Sequence, residues 1–162
     1  MRYITRAMEE TFLRLNKQFP AILITGPRQV GKTTMLLKLM REENSLRSYV
    51  TLDDLAERQL AKSDPEMFFQ LHKPPLLIDE VQYAPELFHY IKILVDTRQN
   101  PGDFWLTGSQ IFKLMRGVRE SMAGRVALLN MFSLSQQEIL GNSTIPFKID
   151  FNTFIEREKV IK

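Results

Sequence analysis

The sequence predicts an α/β protein in which a mainly parallel five-stranded sheet is sandwiched by helices. Three observations carry that expectation. Short apolar runs alternate with amphipathic stretches along the chain, and strands that alternate with helices assemble into a parallel sheet. The first apolar run, Ala21–Thr25, passes through the glycine-bounded loop Gly26-Pro27-Arg28-Gln29-Val30-Gly31-Lys32-Thr33-Thr34 into a leucine-rich helix. Three polar clusters directly follow apolar runs: that loop, Asp79-Glu80, and Thr107 to Gln110. They therefore fall at strand carboxyl ends, around the crevice where such sheets bind ligands.

Each element has a local reason. Ile4, Met8, Phe12 and Leu15 recur at near-helical spacing over residues 2–17 and predict an amphipathic helix, ended by Phe19-Pro20. The first strand and the loop come next, and the helix after the loop runs to about Glu43. Residues 48–52 read as a second strand, with Asp53-Asp54 placed to cap a helix to about Ala61. Asp64-Pro65-Glu66 starts another helix, proline occupying the first turn where its missing N–H costs nothing. Met67, Phe68, Phe69 and Leu71 are expected in the core. Pro74-Pro75 precedes the buried strand 76–78. Ala84-Pro85-Glu86 opens a helix with Leu87, Ile91, Leu94 and Arg98 on one face, Tyr90 and Val95 beside it. After the turn at Asn100 to Asp103, strand 104–106 ends in Thr107. A helix over residues 111–120 leads through Gly124-Arg125 to a fifth strand, 126–129. Ser135-Gln136-Gln137-Glu138 is a capping box for a short helix.

The loop fits G-x-x-x-x-G-K-[ST], flanked by strand and helix as that motif requires. Gly26 and Gly31 permit dihedrals closed to other residues, so successive N–H groups can turn onto a phosphate. The helix adds its positive N-terminal end. Lys32 supplies a mobile cation for the β- and γ-phosphates, and the Thr33 hydroxyl is a hard ligand suited to Mg²⁺. The nucleotide-binding set is thus Gly26 to Thr34, the Walker A element of a P-loop fold. Composition alone produces the bare pattern in about one of a few hundred chains of this length, and the strand–helix context makes coincidence rarer.

Asp79, after an apolar strand, is placed to hold Mg²⁺ as a Walker B aspartate, and Glu80 to activate the attacking water. A surface acidic pair is the bland alternative. Ser109 and Gln110 offer neutral groups for the γ-phosphate; a plain polar turn is the alternative. Arg125 could stabilise charge on the transferred phosphoryl group, within its own chain or on a neighbour, or be a solvated arginine.

Length and composition bound the rest. With 162 residues the chain fits one domain, and 44% hydrophobic with 25% charged residues is ordinary for a globular protein. The 22 basic and 19 acidic residues are interspersed, giving +3 and little electrostatic argument for DNA. There is no cysteine, which excludes disulfides and thiolate chemistry. His72 and His89 lack metal-ligand companions, and Gly108-Ser109-Gln110-Ile111 does not complete a nucleophile elbow. Asn16-Lys17-Gln18-Phe19 is not a guanine-reading motif, so adenine is favoured by default. With no leader-type or membrane-spanning apolar run, a cytoplasmic protein is expected.

The ordered set G-P-R-Q-V-G-K-T-T, L-L-I-D-E-V-Q, L-T-G-S-Q, S-M-A-G-R and F-S-L-S-Q-Q-E resembles the prokaryotic AAA-type ATPases described simply as ATP-binding or AAA domain proteins. The resemblance runs from about Ile4 to Gly141; Arg28-Gln29 and Gln82 are its more specific marks. It implies an additional-strand ATPase fold, with the Thr107 strand between those of the loop and Asp79. It also implies Glu80 as catalytic base, Thr107 to Gln110 as the γ-phosphate sensor region, and Arg125 as a sensor or finger arginine. Such proteins continue into a C-terminal domain, so residues 1–146 are expected to form the ATPase domain and 147–162 a linker or the start of that domain. The leading expectation is Mg²⁺-dependent ATP hydrolysis serving as switch or motor for that domain or a partner protein, with a homo-oligomer as one arrangement. Two alternatives stand beside it: a small-molecule kinase, given the three arginines over residues 113–125, and a non-hydrolysing nucleotide-binding module that contacts DNA.

Overall fold

A computed structural model describes residues 3–43, 46–109 and 122–141. The expected helix over 111–120, Gln110 and the tail from 142 onward lie outside the described residues. Residues Arg6–Leu134 form one compact unit, and Met1–Thr5 with Ser135–Lys162 group as a second.

In the main unit the chain runs α1 (Met8–Asn16), β1 (Ala21–Thr25), α2 (Lys32–Glu43), β2 (Ser48–Thr51), α3 (Leu55–Ser63), α4 (Pro65–Leu71) and β3 (Leu76–Asp79). A single 3₁₀ turn, Val81–Tyr83, leads to α5 (Leu87–Arg98), β4 (Phe104–Gly108) and β5 (Val126–Asn130). The strands form one sheet in the order β2-β3-β4-β1-β5, every neighbouring pair parallel. The Thr107 strand thus lies between those of the loop and Asp79, as the resemblance implied. In the second unit, α6 (Gln136–Leu140) carries the expected capping box: the Ser135 hydroxyl accepts from the Glu138 N–H, and the Glu138 carboxylate accepts from the Ser135 N–H.

Alternation along the strands produces two cores. Ala21, Leu23, Leu76, Ile78, Phe104 and Leu106 face one side, where Phe68, Leu87, Phe88 and Ile91 of α4 and α5 cover them. Ile22, Ile24, Leu77 and Trp105 face the other, against Phe12 of α1 and Met35, Leu36 and Leu39 of α2. The three central strands are buried throughout, which is why they read as unbroken apolar runs rather than alternating ones. Trp105 ties α1 to the sheet: its ring meets Phe12 edge-on at 4.9 Å, and its Nε1–H donates to Asn16 Oδ1 at 2.6 Å. The Arg47 guanidinium lies 3.8 Å over the same ring.

Local departures from the sequence expectation have local causes. The first helix begins at Met8 rather than near Arg2. The Arg6 N–H is taken by the Glu9 carboxylate and the Arg6 side chain is drawn to the phosphate loop. In the two-turn α4, the 3.6-residue period turns Phe68 and Phe69 inward, leaving Met67 and Leu71 exposed. Asp54 and Asp64 cap α3 and α4 as their positions predict.

Candidate functional site

The loop between β1 and α2 has the backbone of a phosphate cradle. Gly26, Gln29 and Gly31 have φ of 144°, 64° and 93°, so the chain reverses repeatedly before α2 begins at Lys32. At Gly26 the requirement is also one of space. The Met131 N–H bonds to the Thr25 carbonyl at 2.8 Å as the chain leaves β5, and a Cβ on residue 26 would stand 2.0 Å from the Met131 carbonyl oxygen. Only glycine lets the two segments pass.

Lys32 is buried, and its Nζ donates to the Gly26 and Pro27 carbonyls at 3.0 and 2.8 Å. Burial lowers its pKa below the usual lysine value; the carboxylates of Glu80 and Asp79 oppose that shift, and Arg28 adds to it. All four charges therefore share one field. A clamp absent from the sequence expectation holds the loop from outside. Arg6 Nη1 donates to the Val30 carbonyl at 2.7 Å, and Nη2 to the Phe132 carbonyl at 2.6 Å. A single basic residue ahead of an amphipathic helix gives no sequence signal of this.

The adjacency β1-β4-β3 brings the acidic pair to the loop. The Thr33 hydroxyl donates to Asp79 Oδ1 at 2.7 Å, joining the start of α2 to the end of β3. The Thr107 hydroxyl of β4 donates to the same carboxylate oxygen and accepts from the Glu80 N–H at 3.0 Å. Tyr49 of β2 approaches Asp79 Oδ2 at 3.5 Å, and burial followed by the Asp79 charge raises its pKa. Thr107 thus faces inward and orders both acidic residues, a role its place at a strand end did not disclose.

Glu80 adopts a left-handed backbone, φ 57° and ψ 43°, uncommon for a non-glycine residue and frequent where function stores strain. Its Oε2 accepts from the Ser109 hydroxyl at 3.1 Å and from the Gln82 amide. The Gln82 amide also donates to Ser109 Oγ at 3.2 Å, and Gln82 Oε1 accepts from the Ser109 N–H at 3.3 Å. A buried glutamine two residues past a carboxylate therefore links β3 to the end of β4. The polar residue inside that otherwise apolar turn was the available signal.

The structure gathers Gly26 to Thr34, Asp79, Glu80 and Ser109 around one crevice, while Gln110 lies outside the described residues. Arg125 is not brought there. It precedes β5, whose first residue, Val126, stands level with Ala21 at the amino edge of the sheet. The loop leaves from the carboxyl edge, about 13 Å away at 3.3 Å per strand residue. Arg125 Nη2 instead donates to Asp96 Oδ2 of α5 at 3.0 Å, and its Nε to Oδ1 of the same carboxylate.

This arrangement of loop, acidic pair and central β4 accompanies a match to the AAA domain family over residues 18–140. The chain belongs to that family. Two uncharacterized mycobacterial proteins, from Mycobacterium bovis and Mycobacterium tuberculosis, are each 33% identical to this AAA domain over 120 residues. That stretch is 74% of the chain but 26% of each relative, so the chain spans about a quarter of their length. Among solved structures, a Walker-type ATPase of Pyrococcus abyssi superposes with TM-score 0.54 at 16% identity, covering 88% of this chain and 60% of that one. A DNA replication initiation factor gives 0.53 at 16% identity over 95% of this chain and 58% of that one. Domain III of the replication initiation protein DnaA from Thermotoga maritima gives 0.51 at 17% identity over 89% and 75%. At such identities the likeness is one of fold, and it establishes the α/β P-loop architecture. Among the described residues, no helix is long and apolar enough to cross a membrane.

Proposed function

We propose that this AAA domain binds ATP with Mg²⁺ and hydrolyses it, driving a switch or motor in a C-terminal domain or partner protein. The observation that carries the proposal is the 2.7 Å contact between Thr33 and Asp79, which closes loop and acidic strand into one site with Glu80 alongside. The loop N–H groups and Lys32 receive the phosphates; Lys32 exchanges its two carbonyl partners for phosphate oxygens. The Thr33 hydroxyl and Asp79 carboxylate form a hard-oxygen set that fits Mg²⁺, which would neutralise charge on the β- and γ-phosphates. Glu80, held by Ser109 and Gln82 through Oε2, keeps Oε1 to take a proton from the attacking water. The relatives' additional length supports a partner domain as the recipient of the cycle.

Phosphate release measured with and without Mg²⁺ tests the proposal. Lys32→Ala is expected to lose nucleotide affinity. Glu80→Gln is expected to keep affinity and lose about 10²–10⁴-fold in turnover, the usual range for a general base. A Glu80→Gln chain that hydrolyses ATP like the parent would refute the assignment of the base.

A further inference from the structure

The third loop residue, Arg28, reaches away from the loop. Its Nη2 donates to the Tyr83 hydroxyl at 3.1 Å. Tyr83 closes the 3₁₀ turn that starts immediately after Glu80. Because β4 lies between β1 and β3, this hydrogen bond runs from one wall of the crevice to the other, past the carboxyl end of β4. Tyr83 is anchored in turn: the Arg58 guanidinium lies 4.0 Å over its ring, and Arg58 Nε is fixed by the Leu52 carbonyl at 2.7 Å.

Arg28 is exposed, and among the described residues no carboxylate pairs with it. A guanidinium carries five N–H donors in a rigid fork, and a neutral phenol occupies one. Such a partner competes weakly with a phosphate, whose oxygens bind the fork in pairs and in charged form. The charge already acts on Lys32, which places it in the field that receives the phosphates. Arg125, singled out in the sequence for that role, lies at the opposite edge of the sheet.

Granted triphosphate binding as proposed above, we propose that Arg28 is a catalytic residue supplied within the chain, exchanging the Tyr83 hydroxyl for γ-phosphoryl oxygens, with Tyr83 as the positioning residue that holds it beforehand. In hydrolysis the water oxygen bonds to the γ-phosphorus while the bond from that phosphorus to the bridging oxygen breaks. The electron pair of the broken bond stays on ADP, and the water proton passes to Glu80. Charge builds on the transferred group and on the bridging oxygen, where a planar cation from the loop can meet both.

The test compares parent, Arg28→Ala, Arg28→Lys and Tyr83→Phe chains for affinity toward ADP, affinity toward a non-hydrolysable ATP analogue, and single-turnover phosphate release. Arg28→Ala should change ADP affinity by less than about 3-fold, abolish any preference for triphosphate over diphosphate, and lower turnover by about 10³-fold, the low end for such arginines. Arg28→Lys should recover little, because an ammonium lacks the fork. Tyr83→Phe should alter turnover by less than about 10-fold and add nothing in the Arg28→Ala background, as a residue acting through Arg28 must. An active parent whose Arg28→Ala variant has unchanged turnover and triphosphate preference overturns the role of Arg28 and leaves the ATPase proposal standing. A parent that binds ATP without hydrolysing it, and whose Arg28→Ala variant keeps its triphosphate preference, likewise overturns that role. A parent that binds neither nucleotide overturns both.

Discussion

Thr107→Val isolates the joint between the two acidic residues. Valine keeps the shape of threonine, so the fully buried position gains almost no cavity, and the change is confined to one hydroxyl. That hydroxyl donates to the Asp79 carboxylate and accepts from the Glu80 N–H at 3.0 Å. A hydrogen bond to a charged group contributes about 1.5–3 kcal/mol, and an N–H left without an acceptor costs about 1–3 kcal/mol. The sum is about 2.5–6 kcal/mol. The lower half is expected, because Asp79 keeps the Thr33 hydroxyl and the partly buried Glu80 N–H can turn to water. With a urea slope of about 2 kcal/mol per molar, the unfolding midpoint should fall by about 1–2 M. Turnover should fall too: the Glu80 backbone is held in a left-handed conformation that costs about 1–3 kcal/mol, and without Thr107 it can relax and misplace the carboxylate proposed as base. A loss of about 10²-fold in kcat, with KM little changed, is the expected reading. Thr107→Ser, which restores the hydroxyl, should recover most of both. A valine variant that matches the parent in urea midpoint and in kcat would refute the coupling of the two carboxylates through this side chain.

Three further outcomes follow from the geometry. Gly26→Ala should destabilise the fold and abolish nucleotide binding, since its Cβ would overlap the Met131 carbonyl at 2.0 Å; thermal melting and nucleotide titration check both, and unimpaired binding would show that the β5 exit can move aside. Arg6→Met removes the donors to the Val30 and Phe132 carbonyls, so it should weaken ATP affinity more than it changes kcat, as read from initial rates over a range of ATP concentrations; an unchanged KM would mean that the loop holds its shape unaided. Arg125→Ala should leave turnover at high dilution unchanged, because the residue lies at the far edge of its own sheet. A deficit that grows with protein concentration, and is relieved on mixing with Glu80→Gln chains, would place Arg125 on a neighbour's site and make the active form an oligomer.

Much of this protein was legible in one dimension. Gly26 and Gly31 mark the tight loop from β1 into α2 because its left-handed dihedrals admit few other residues at those positions. Ile22 to Ile24 and Leu76 to Ile78 announce buried parallel strands because a strand covered on both faces must be apolar throughout. Asp54, Asp64 and Ser135 mark helix starts because capping is settled within three residues of chain. The family resemblance supplied the place of the Thr107 strand between those of the loop and Asp79, which local pattern does not contain; the edge positions of β2 and β5 came from the structure.

What only the tertiary structure decided are the partners that long-range packing delivers. Arg6 and Val30 stand 24 residues apart and Arg6 and Phe132 stand 126 apart, so no spacing rule links them. Arg125 was a candidate for the crevice by residue type and resemblance, and the parallel register of β5 with β1 places it at the opposite edge. Thr107 and Gln82 were marked by the family resemblance, Thr107 within the sensor region and Gln82 as a specific residue, but nothing in the sequence named their partners. Thr107 and Ser109 became supports of Asp79 and Glu80 because β4 is inserted between β1 and β3, so these carboxylates find donors on the neighbouring strand and at its end, while Gln82 reaches Glu80 from two residues along the same turn. Local backbone preferences are written residue by residue, whereas the satisfaction of buried charge is a property of the assembled sheet.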